Sequence, residues 1–304
     1  MKKVKSLRVT TLVENLVQMG GLLGEWGLSF LLEVEDERGR THKVLSDTGS
    51  SREAILHNIK RLKLDLSDLE CIFLSHGHGD HTAATVEVLK LAGGGVKVVA
   101  HPHLFLPRFY IDRNGRRRRG GVPEGEGIAE IEAAGGEIVQ SAEPLEVVPG
   151  LWTTGEIPRV TDFEAVGRSL GGGRRVIIVE GEEVTDRILD DQALWLDVED
   201  VGPVVITGCA HSGPVNTLLQ VKKLGGFDRI YGLIGGTHLV GRSDDYLRRT
   251  MEELRRFDLE LLSPCHCTGF KATATLYRAF PGSFVLNFCG RVIVAGEEPT
   301  PRVL

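Results

Sequence analysis

The stretch Ser75-His76-Gly77-His78-Gly79-Asp80-His81-Thr82 places four potential metal ligands within six residues. It directly follows Cys71-Ile72-Phe73-Leu74, an uninterrupted apolar run that is typical of a strand buried on both faces. Imidazole and carboxylate groups together suit zinc, iron or manganese, whereas calcium and magnesium prefer oxygen ligands. The first two histidines alternate along the loop and can face the same way, while the aspartate and the third histidine open the next helix. One tetrahedral ion cannot easily accept all four groups, so the loop predicts two neighbouring metal ions, with zinc the first choice.

The composition is that of an ordinary globular protein. Of 304 residues, 41% are hydrophobic and 26% are charged, which excludes disordered, collagen-like and disulfide-scaffold classes. The net charge of −6 disfavours a nucleic acid as the main partner, because proteins that bind phosphate backbones are usually basic. Five cysteines, an odd number, indicate reduced thiols rather than a disulfide framework.

The sequence predicts neither a membrane partner nor export. The longest apolar stretches, residues 28–32 and 201–206, are far too short to span a bilayer. The N-terminal segment Met1-Lys2-Lys3-Val4-Lys5 is followed by polar residues and lacks the apolar region of a secretory signal. We therefore expect a cytoplasmic protein, and no sequence pattern indicates its oligomeric state.

Apolar runs, helical periodicity and turn residues predict the secondary structure. In the first half, strands are expected at residues 7–12, 28–35, 43–45, 71–74 and 96–100, and helices at about 50–62 and 83–91. In the second half, strands are expected at residues 138–148, 175–179, 204–207, 230–234, 259–262, 283–286 and 291–294, and helices at 215–224, 246–257 and 271–280. Residues 102–127, rich in Pro, Gly and Arg, predict an insertion or a mobile arm.

The order of these elements predicts an α/β fold. Antiparallel strands come first, β-α alternation follows, and the second half roughly repeats this order. Two stacked sheets with helices outside them would bury both faces of the strands, which gives a four-layer αββα sandwich. We expect one domain over residues 1–304, made of two pseudo-equivalent halves.

The His-x-His-x-Asp-His loop after an apolar strand resembles the metallo-β-lactamase superfamily, and the element order from about residue 7 to 295 agrees. Five further segments resemble the branch named for the archaeal dihydropterin-methyl ribofuranosyl-aminobenzene phosphate synthase of methanopterin synthesis. These segments are Thr154-Gly155-Glu156-Ile157-Pro158-Arg159, Leu189-Asp190-Asp191-Gln192-Ala193-Leu194, Thr207-Gly208-Cys209-Ala210-His211-Ser212-Gly213, Gly235-Gly236-Thr237-His238-Leu239 and Cys265-His266-Cys267-Thr268-Gly269. The resemblance implies the metallo-β-lactamase fold and one or two divalent ions, with iron or manganese as alternatives to zinc.

The resemblance also implies a third protein ligand for each metal. Ligands in this superfamily project from the ends of strands, and His211 and His266 each follow an apolar strand. The first metal is therefore assigned to His76, His78 and His211, and the second to Asp80, His81 and His266. Asp80 is also the candidate catalytic residue.

Two positions depart from the superfamily pattern. The usual mid-chain ligand lies in a Gly-His pair, and the corresponding pair here is Gly155-Glu156. The usual bridging aspartate follows a Thr-Gly pair, and that position here is Cys209. Cys209 is a thiolate ligand, a weak bridging contact or a small buried residue. Without a bridging carboxylate, the second metal is expected to be held more weakly than the first.

Other polar residues follow predicted strands. Asp47, after the third strand, supports the metal loop through hydrogen bonds or caps the next helix, and the two roles are compatible. His238, at the end of a later strand, contacts substrate or packs in the interior. His101 and His103, at the start of the predicted arm, are expected at the surface or on the substrate side.

Two cysteines, Cys265 and Cys267, flank His266 and superficially resemble a soft-metal tract. If His266 projects into the site, the alternation of an extended chain points both thiols away from it. We therefore expect both cysteines in the core.

The strongest basic cluster is Arg116-Arg117-Arg118-Arg119, with Arg108 and Arg113 nearby. It is either a solvated loop tip or a clamp for an anionic substrate, because guanidinium forks suit phosphate oxygens. The same cluster keeps a nuclease among the alternatives.

The predicted metal site supports two classes of enzyme. Two divalent cations can activate water and hold a leaving oxygen, which suits hydrolysis of esters, thioesters, lactams or phosphodiesters. The branch resemblance implies instead a transferase, in which a pterin methyl diphosphate loses pyrophosphate as an aryl ribose phosphate attacks its methylene carbon. The expected partner in either case is a phosphorylated small molecule. A metal-dependent phosphodiesterase or nuclease and a non-catalytic ligand-binding module are the alternatives.

Overall fold

The computed structural model describes residues 2–164 and 173–296. The strands in these ranges are β1 (Ser6–Val13), β2 (Ser29–Glu35), β3 (Thr41–Ser46), β4 (Leu69–Phe73), β5 (Val96–Ala100), β6 (Arg108–Ile111), β7 (Arg117–Arg119), β8 (Gly136–Gln140), β9 (Glu146–Val148), β10 (Leu151–Thr153), β11 (Arg174–Val179), β12 (Glu182–Thr185), β13 (Ala193–Val198), β14 (Gly202–Thr207), β15 (Gly232–Gly236), β16 (Leu261–Cys265) and β17 (Val292–Val294). The helices are α1 (Arg52–Leu62), α2 (Gly79–Thr82), α3 (Thr85–Ala92), α4 (Ile128–Ala133), α5 (Pro214–Gly225), α6 (Asp244–Leu254) and α7 (Phe270–Ala279). The predicted domain over 1–304 also spans residues 1, 165–172 and 297–304, which lie outside the described residues.

Most strands belong to two large sheets. The first has the order β17-β1-β2-β3-β4-β5-β8, and the second has the order β16-β15-β14-β13-β10-β9. Strands β3, β4, β5 and β8 pair in parallel, as do β14, β15 and β16. Because the carboxyl ends of parallel strands lie at one edge of a sheet, the loops after them are brought together at that edge.

The two sheets pack face to face with helices outside them. The interior between the sheets joins side chains such as Val9 and Phe73 of the first sheet to Leu196 and Ile206 of the second. Helices α1, α3 and α4 cover the other face of the first sheet, and α5, α6 and α7 cover the other face of the second. This is the predicted αββα sandwich. None of the helices in residues 2–164 and 173–296 combines the length and apolarity that a bilayer crossing requires.

Local sequence signals account for several helix boundaries. The Ser51 hydroxyl accepts a hydrogen bond from Ala54 N at the start of α1, and Ser243 caps α6 in the same way. Helix α3 ends at Gly93, whose φ of 88° is a conformation that glycine adopts without strain. Polar caps and a glycine stop therefore fix where these helices begin and end.

A third sheet lies outside the two main layers. Strands β6 and β7, within residues 102–127, join β11 and β12 in the order β12-β11-β6-β7. The sequence did not predict β6, β7 or β12: β7 is three exposed arginines and β12 four exposed residues, so neither shows an apolar alternation. The mobility of residues 102–127 stays a prediction.

Two expectations about the second sheet needed correction. Residues 283–286 were expected to form a strand, but Phe284 makes only an isolated bridge with Leu262. The sequence analysis also predicts no strand at β13, whose first residues, 193 and 194, belong to the motif at 189–194. It lies at the centre of the second sheet, between β14 and β10.

Candidate metal centre

The candidate site is built from loops that follow parallel strands. Asp47 follows β3, His76 follows β4, Cys209 follows β14, His238 follows β15, and His266 follows β16. Asp47, His238 and His266 have positive φ values of 60°, 47° and 51°. Non-glycine residues adopt this conformation at an energetic cost, so the surrounding packing must hold these loops in place.

Three histidines form the first cluster of possible metal ligands. His76 Nε2 lies 2.9 Å from His78 Nδ1, and His211 Nε2 lies 3.2 Å from each of them. Two nitrogens bound to one tetrahedral zinc at about 2.0–2.1 Å would be about 3.3 Å apart. The spacing of these three nitrogens therefore fits a single cation. We call this set the first triad.

Two histidines and an aspartate form the second cluster. His81 Nε2 lies 3.2 Å from His266 Nε2, and Asp80 Oδ2 lies 3.4 Å from His266 Nε2 and 3.9 Å from His81 Nε2. The imidazoles are fully buried, while 22% of the Asp80 side chain is exposed. We call this set the second triad. The structure thus brings together the same two groups of residues that the sequence assigned to two metals.

The Asp47 carboxylate connects the two triads. Its Oδ2 accepts hydrogen bonds from His81 Nδ1, at 2.6 Å, and from the Ser75 hydroxyl, at 2.8 Å. The Ser75 oxygen lies 2.9 Å from His76 Nδ1, and because its own proton is donated to Asp47, it accepts the proton of His76. Both imidazoles thereby carry a proton at Nδ1, which leaves Nε2 as the nitrogen that would bind a metal. The supporting role expected for Asp47 is what its contacts provide.

Sequence reasoning missed the residues that orient His266. The Asn15 amide oxygen lies 3.2 Å from His266 Nδ1, and its amide nitrogen donates to the His266 carbonyl at 3.0 Å. The Glu14 carboxylate accepts a hydrogen bond from His266 N at 2.6 Å. These residues lie at the end of β1, about 250 positions away in the chain, so no local pattern could have identified them.

Asp190 and Asp191 support the two loops that carry the first triad. Asp190 Oδ2 accepts a hydrogen bond from Gly77 N at 2.7 Å, and Asp190 forms a buried ion pair with Arg108 at 2.6 Å. Asp191 Oδ2 accepts from Ser212 N at 2.8 Å, beside His211. Burial raises the pKa of Asp191 to about 6. These carboxylates therefore fix the backbone on both sides of the first triad.

Burial and neighbouring charges set the protonation states of the triads. Burial lowers the pKa of His76 and His211 well below the usual range, and that of His78 to about 4, so these imidazoles are neutral at pH 7. Burial raises the pKa of Asp80, but the charge of His81 and the hydrogen bond with His266 outweigh burial and hold it low. An ionised carboxylate and neutral imidazoles are the forms that bind metals.

The pKa of His81 moves in the opposite direction. Burial lowers it, but the charges of Asp47 and Asp80 outweigh burial and raise the pKa to about 9. The surroundings of His81 therefore stabilise positive charge. A divalent cation bound to His81 Nε2 would satisfy the same two carboxylates without the proton.

Two cysteines and a histidine adjoin the second triad. Cys209 Sγ lies 3.2 Å from His81 Nε2, and the ligand atoms of Cys209, His238 and Cys267 all lie within 4.8 Å of one another. Cys265 and Cys267 are both buried in the core, as expected, but the Cys267 thiol does not point away from the site. The left-handed backbone at His266 breaks the strand alternation and turns the Cys267 thiol toward Cys209.

The other candidates lie around the triads. The His238 ring centroid is 4.1 Å from that of His211, and its Nδ1 is buried without a hydrogen-bond partner in the described ranges. Glu156 is exposed and its carboxylate lies 3.1 Å from His101 Nε2, outside both triads. His101 is itself buried rather than at the surface, and His103 is next to it, with ring centroids 5.2 Å apart.

The arginine run lies in the third sheet. The side chains of β7 are exposed, and Arg117 donates to Glu183 at 2.8 Å and stacks on the ring of Phe109 at 3.7 Å. Arg117 is therefore engaged within its own sheet. A clamping role for Arg116, Arg118 and Arg119 stays a prediction.

Similarity to known proteins extends over nearly the whole chain. The family model described as the metallo-beta-lactamase superfamily matches residues 27–266. The chain is 29% identical to the 7,8-dihydropterin-6-methyl-4-(beta-D-ribofuranosyl)-aminobenzene-5'-phosphate synthase of Methanocaldococcus jannaschii, over 96% of this chain and 97% of that protein. It is 32% identical to an uncharacterized protein of the same organism, over 88% of this chain and 92% of that protein. The crystal structure of Tm1679, described as a metal-dependent hydrolase of the beta-lactamase superfamily, is 26% identical with a TM-score of 0.75, over 94% and 98% of the two chains.

The Asp47 contacts generate a first prediction. Asp47→Asn should weaken divalent-metal affinity about 10–100-fold, because the two imidazoles lose the carboxylate that fixes their protons. Competition with a chromophoric chelator measures this affinity. Asp36→Asn is the matched control, since Asp36 is buried and its Oδ2 lies 3.3 Å from His42 Nε2, outside both triads. Equal metal affinities of the two variants would contradict the role of Asp47.

The position of Cys209 generates a second prediction. The cobalt-substituted protein should show a sulfur-to-cobalt charge-transfer band in the near ultraviolet, because Cys209 Sγ is 3.2 Å from the metal-facing nitrogen of His81. Cys209→Ala should abolish the band. Cys71→Ala, which changes a cysteine buried between the sheets, should retain it. A band of unchanged intensity in Cys209→Ala would contradict this and would indicate that another sulfur, such as that of Cys267, is the ligand.

Proposed function

The chain belongs to the metallo-beta-lactamase superfamily, and we propose from this that it is a two-metal enzyme acting on a phosphorylated small molecule. The observation that carries the proposal is the pair of triads. Each triad gathers nitrogen or oxygen donors from segments distant in the chain, at mutual spacings of 2.9–3.9 Å. Buried imidazoles that bind no metal would be expected to form hydrogen bonds with neighbouring acceptors, and their unprotonated ring nitrogens would not face one another.

The donor sets fit divalent cations. His76, His78 and His211 would hold one cation, and Asp80, His81 and His266 would hold the other, with Cys209 as an additional ligand of the second. When bound, two such cations neutralise negative charge that develops on a leaving oxygen or diphosphate. Zinc is the proposed metal, because mixed imidazole, carboxylate and thiolate donors suit it.

The proposed reaction is a transfer to a pterin-type substrate. The amine of an aryl ribose phosphate would attack the methylene carbon of a pterin methyl diphosphate. A C–N bond would form, the C–O bond would break with its electron pair leaving on the diphosphate, and the proton lost by the amine would pass to water or to the released diphosphate. The 29% identity over 96% of the chain to the synthase of M. jannaschii supports this reaction. Asp80, ionised and partly exposed, would accept a hydrogen bond from the incoming N–H group.

Hydrolysis of a phosphorylated small molecule is the second candidate. It is favoured by Tm1679, which is described as a metal-dependent hydrolase and is 26% identical over 94% of this chain. The protein groups would act in the same positions, with water rather than an amine donating its hydrogen bond to Asp80. The two candidates therefore differ in the nucleophile that the site admits.

Metal content tests the ligand assignment. Purified protein loaded with zinc should bind two ions per chain by elemental analysis, and His76→Ala combined with His78→Ala should leave at most one. His57→Ala, which removes an exposed histidine of α1, should retain both ions. Unchanged metal content in the double variant would refute the first triad.

A substrate panel tests the reaction. Zinc-, iron- or manganese-reconstituted protein is mixed with a pterin methyl diphosphate and an aryl-amine ribose phosphate, and in parallel with thioester and phosphodiester substrates. The expected result is a condensation product with equimolar pyrophosphate. Pyrophosphate release without the condensation product would assign hydrolysis instead. Absence of turnover in every arm by a protein with both metals bound would contradict the proposed enzyme.

A further inference from the structure

Three potential metal ligands occupy equivalent positions after three neighbouring strands of the second sheet. Strands β14, β15 and β16 pair in parallel, so the segments that follow them meet at one edge of that sheet. Cys209, His238 and Cys267 each lie two residues beyond the last residue of their strand. Their ligand atoms all lie within 4.8 Å of one another. We call this set the thiol triad.

Both sulfurs of the thiol triad are buried and free. Cys209 is 3% exposed and Cys267 is 1% exposed, and neither forms a disulfide. The Cys267 sulfur accepts a hydrogen bond from His238 N at 3.2 Å, and as a donor it reaches only the Cys209 carbonyl, at a long 3.5 Å. A backbone N–H stabilises negative charge on the atom that it faces. Cys267 therefore loses little when a cation replaces its proton.

His238 contributes the nitrogen donor of the thiol triad. Its ring lies against that of His211, with the centroids 4.1 Å apart, but it belongs to neither of the first two triads. Its Nδ1 is buried and has no hydrogen-bond partner among residues 2–164 and 173–296. A buried polar atom without a partner is uncommon in folded proteins, and a bound ion is one way in which it is satisfied.

A glycine makes room for the two thiols. Gly236 is the last residue of β15, between the strands that lead to the two cysteines. A Cβ at this position would lie 2.8 Å from the Cys267 sulfur and 3.1 Å from Cys209 Cα. Any larger residue would displace the Cys267 thiol, so the close approach of the two cysteines depends on this glycine.

The donors of the thiol triad select a soft cation. Two sulfurs and one imidazole contrast with the first triad, which has nitrogen donors alone, and with the second, which includes a carboxylate. Thiolates favour copper(I) and zinc over manganese or magnesium. Structural zinc usually takes four protein ligands, whereas copper(I) is stable with three. Three donors around one ion with bonds of about 2.3 Å, the length of a zinc–sulfur bond, are about 4 Å apart. The thiol triad therefore suits copper(I) in both number and spacing of donors.

We propose that Cys209, His238 and Cys267 form a copper(I) site beside the second triad. The site goes beyond the proposed function, since it is separate from the two positions assigned to divalent cations and does not depend on the nucleophile that they serve. The Cys209 sulfur lies 3.2 Å from His81 Nε2, so the copper ion and the second divalent cation share this sulfur. Occupancy of the thiol triad is thereby linked to the second triad.

The test measures copper binding to the zinc-loaded protein without turnover. Under anaerobic conditions, the protein is titrated with copper(I) against a chromophoric copper(I) chelator, and copper and zinc are counted by elemental analysis. One copper ion per chain is expected. Cys267→Ala and His238→Gln should each weaken copper affinity by at least about 10–100-fold, the loss that follows removal of even an outer-shell partner of a ligand. The matched controls are Cys71→Ala, buried between the sheets, and His57→Gln, exposed on α1, and both should bind copper as the unchanged protein does.

X-ray absorption at the copper edge identifies the donors directly. The unchanged protein should show two sulfur neighbours and one nitrogen neighbour, and Cys267→Ala should lose one sulfur from any copper that it still binds. This measurement on the unchanged protein decides the proposal even where a variant fails to fold. A copper shell with no sulfur, or with nitrogen and oxygen neighbours predominating, would overturn the site.

The zinc content separates the thiol triad from the first two triads. Copper that binds with both zinc ions retained, or with loss of one zinc ion and dependence on Cys267, supports the site, because Cys209 is shared with the second triad. Copper that displaces zinc equally in the unchanged protein, Cys267→Ala and His238→Gln would occupy the divalent-metal positions instead and would overturn it. Equal copper affinity in the unchanged protein and the two variants would also overturn it. Because none of these readouts uses the substrate panel, failure of the proposed reaction leaves the result unaffected.

Discussion

The hydrogen bonds to the Asp47 carboxylate are the interaction on which the candidate metal centre depends. Asp47 lies in the first sheet's loop after β3, and through His81 directly and Ser75 indirectly it determines the protonation of one imidazole in each triad. The packing around Asp47 leaves no space for a side chain at position 208. A Cβ on Gly208 would lie 2.0 Å from the Ser75 oxygen and 2.7 Å from Asp47 Oδ2. The two half-sites are therefore one cooperative structure, in which a change at Asp47 or Gly208 disturbs both.

The local sequence is enough to predict the scaffold and the ligand loop, but not the contacts that cross the chain. Buried strands such as β4 and amphipathic helices can be recognised from the pattern of their apolar residues, and the spacing from His76 to His81 predicts two ions. The residues that orient His266 cannot be recognised in this way, because Glu14 and Asn15 become its partners only when the chain folds and β1 and β16 meet at the same end of the sandwich. The direction of the Cys267 thiol could not be predicted either. The left-handed backbone of His266 reverses the side that the next side chain faces, and no pattern in the residue types predicts that conformation.

A cysteine at position 209 changes the chemistry of the second triad. A bridging carboxylate is a hard oxygen ligand that can span two cations, whereas a single sulfur is soft and favours zinc or iron over manganese or magnesium. The Cys209 thiol is also buried, and burial raises its pKa well above the usual value, so its ionisation depends on a cation nearby. If Cys209 is a ligand as we propose, binding of the second metal and loss of the Cys209 proton would be coupled, while the first triad, with neutral imidazoles alone, would bind a metal without such a cost.

The two triads differ in the negative charge of their own ligands. The first triad has no carboxylate among its own donors, and Asp190 and Asp191 only support its loops, whereas the second triad includes Asp80. A cation in the first triad would thus be less neutralised by its own ligands than a cation in the second. In the proposed function, an anionic group would be drawn to the His211 side, and the opposite end of the same molecule, where a nucleophile would attack, would lie toward the partly exposed Asp80. This asymmetry would orient the phosphorylated substrate that we propose before any contact specific to its organic part is made.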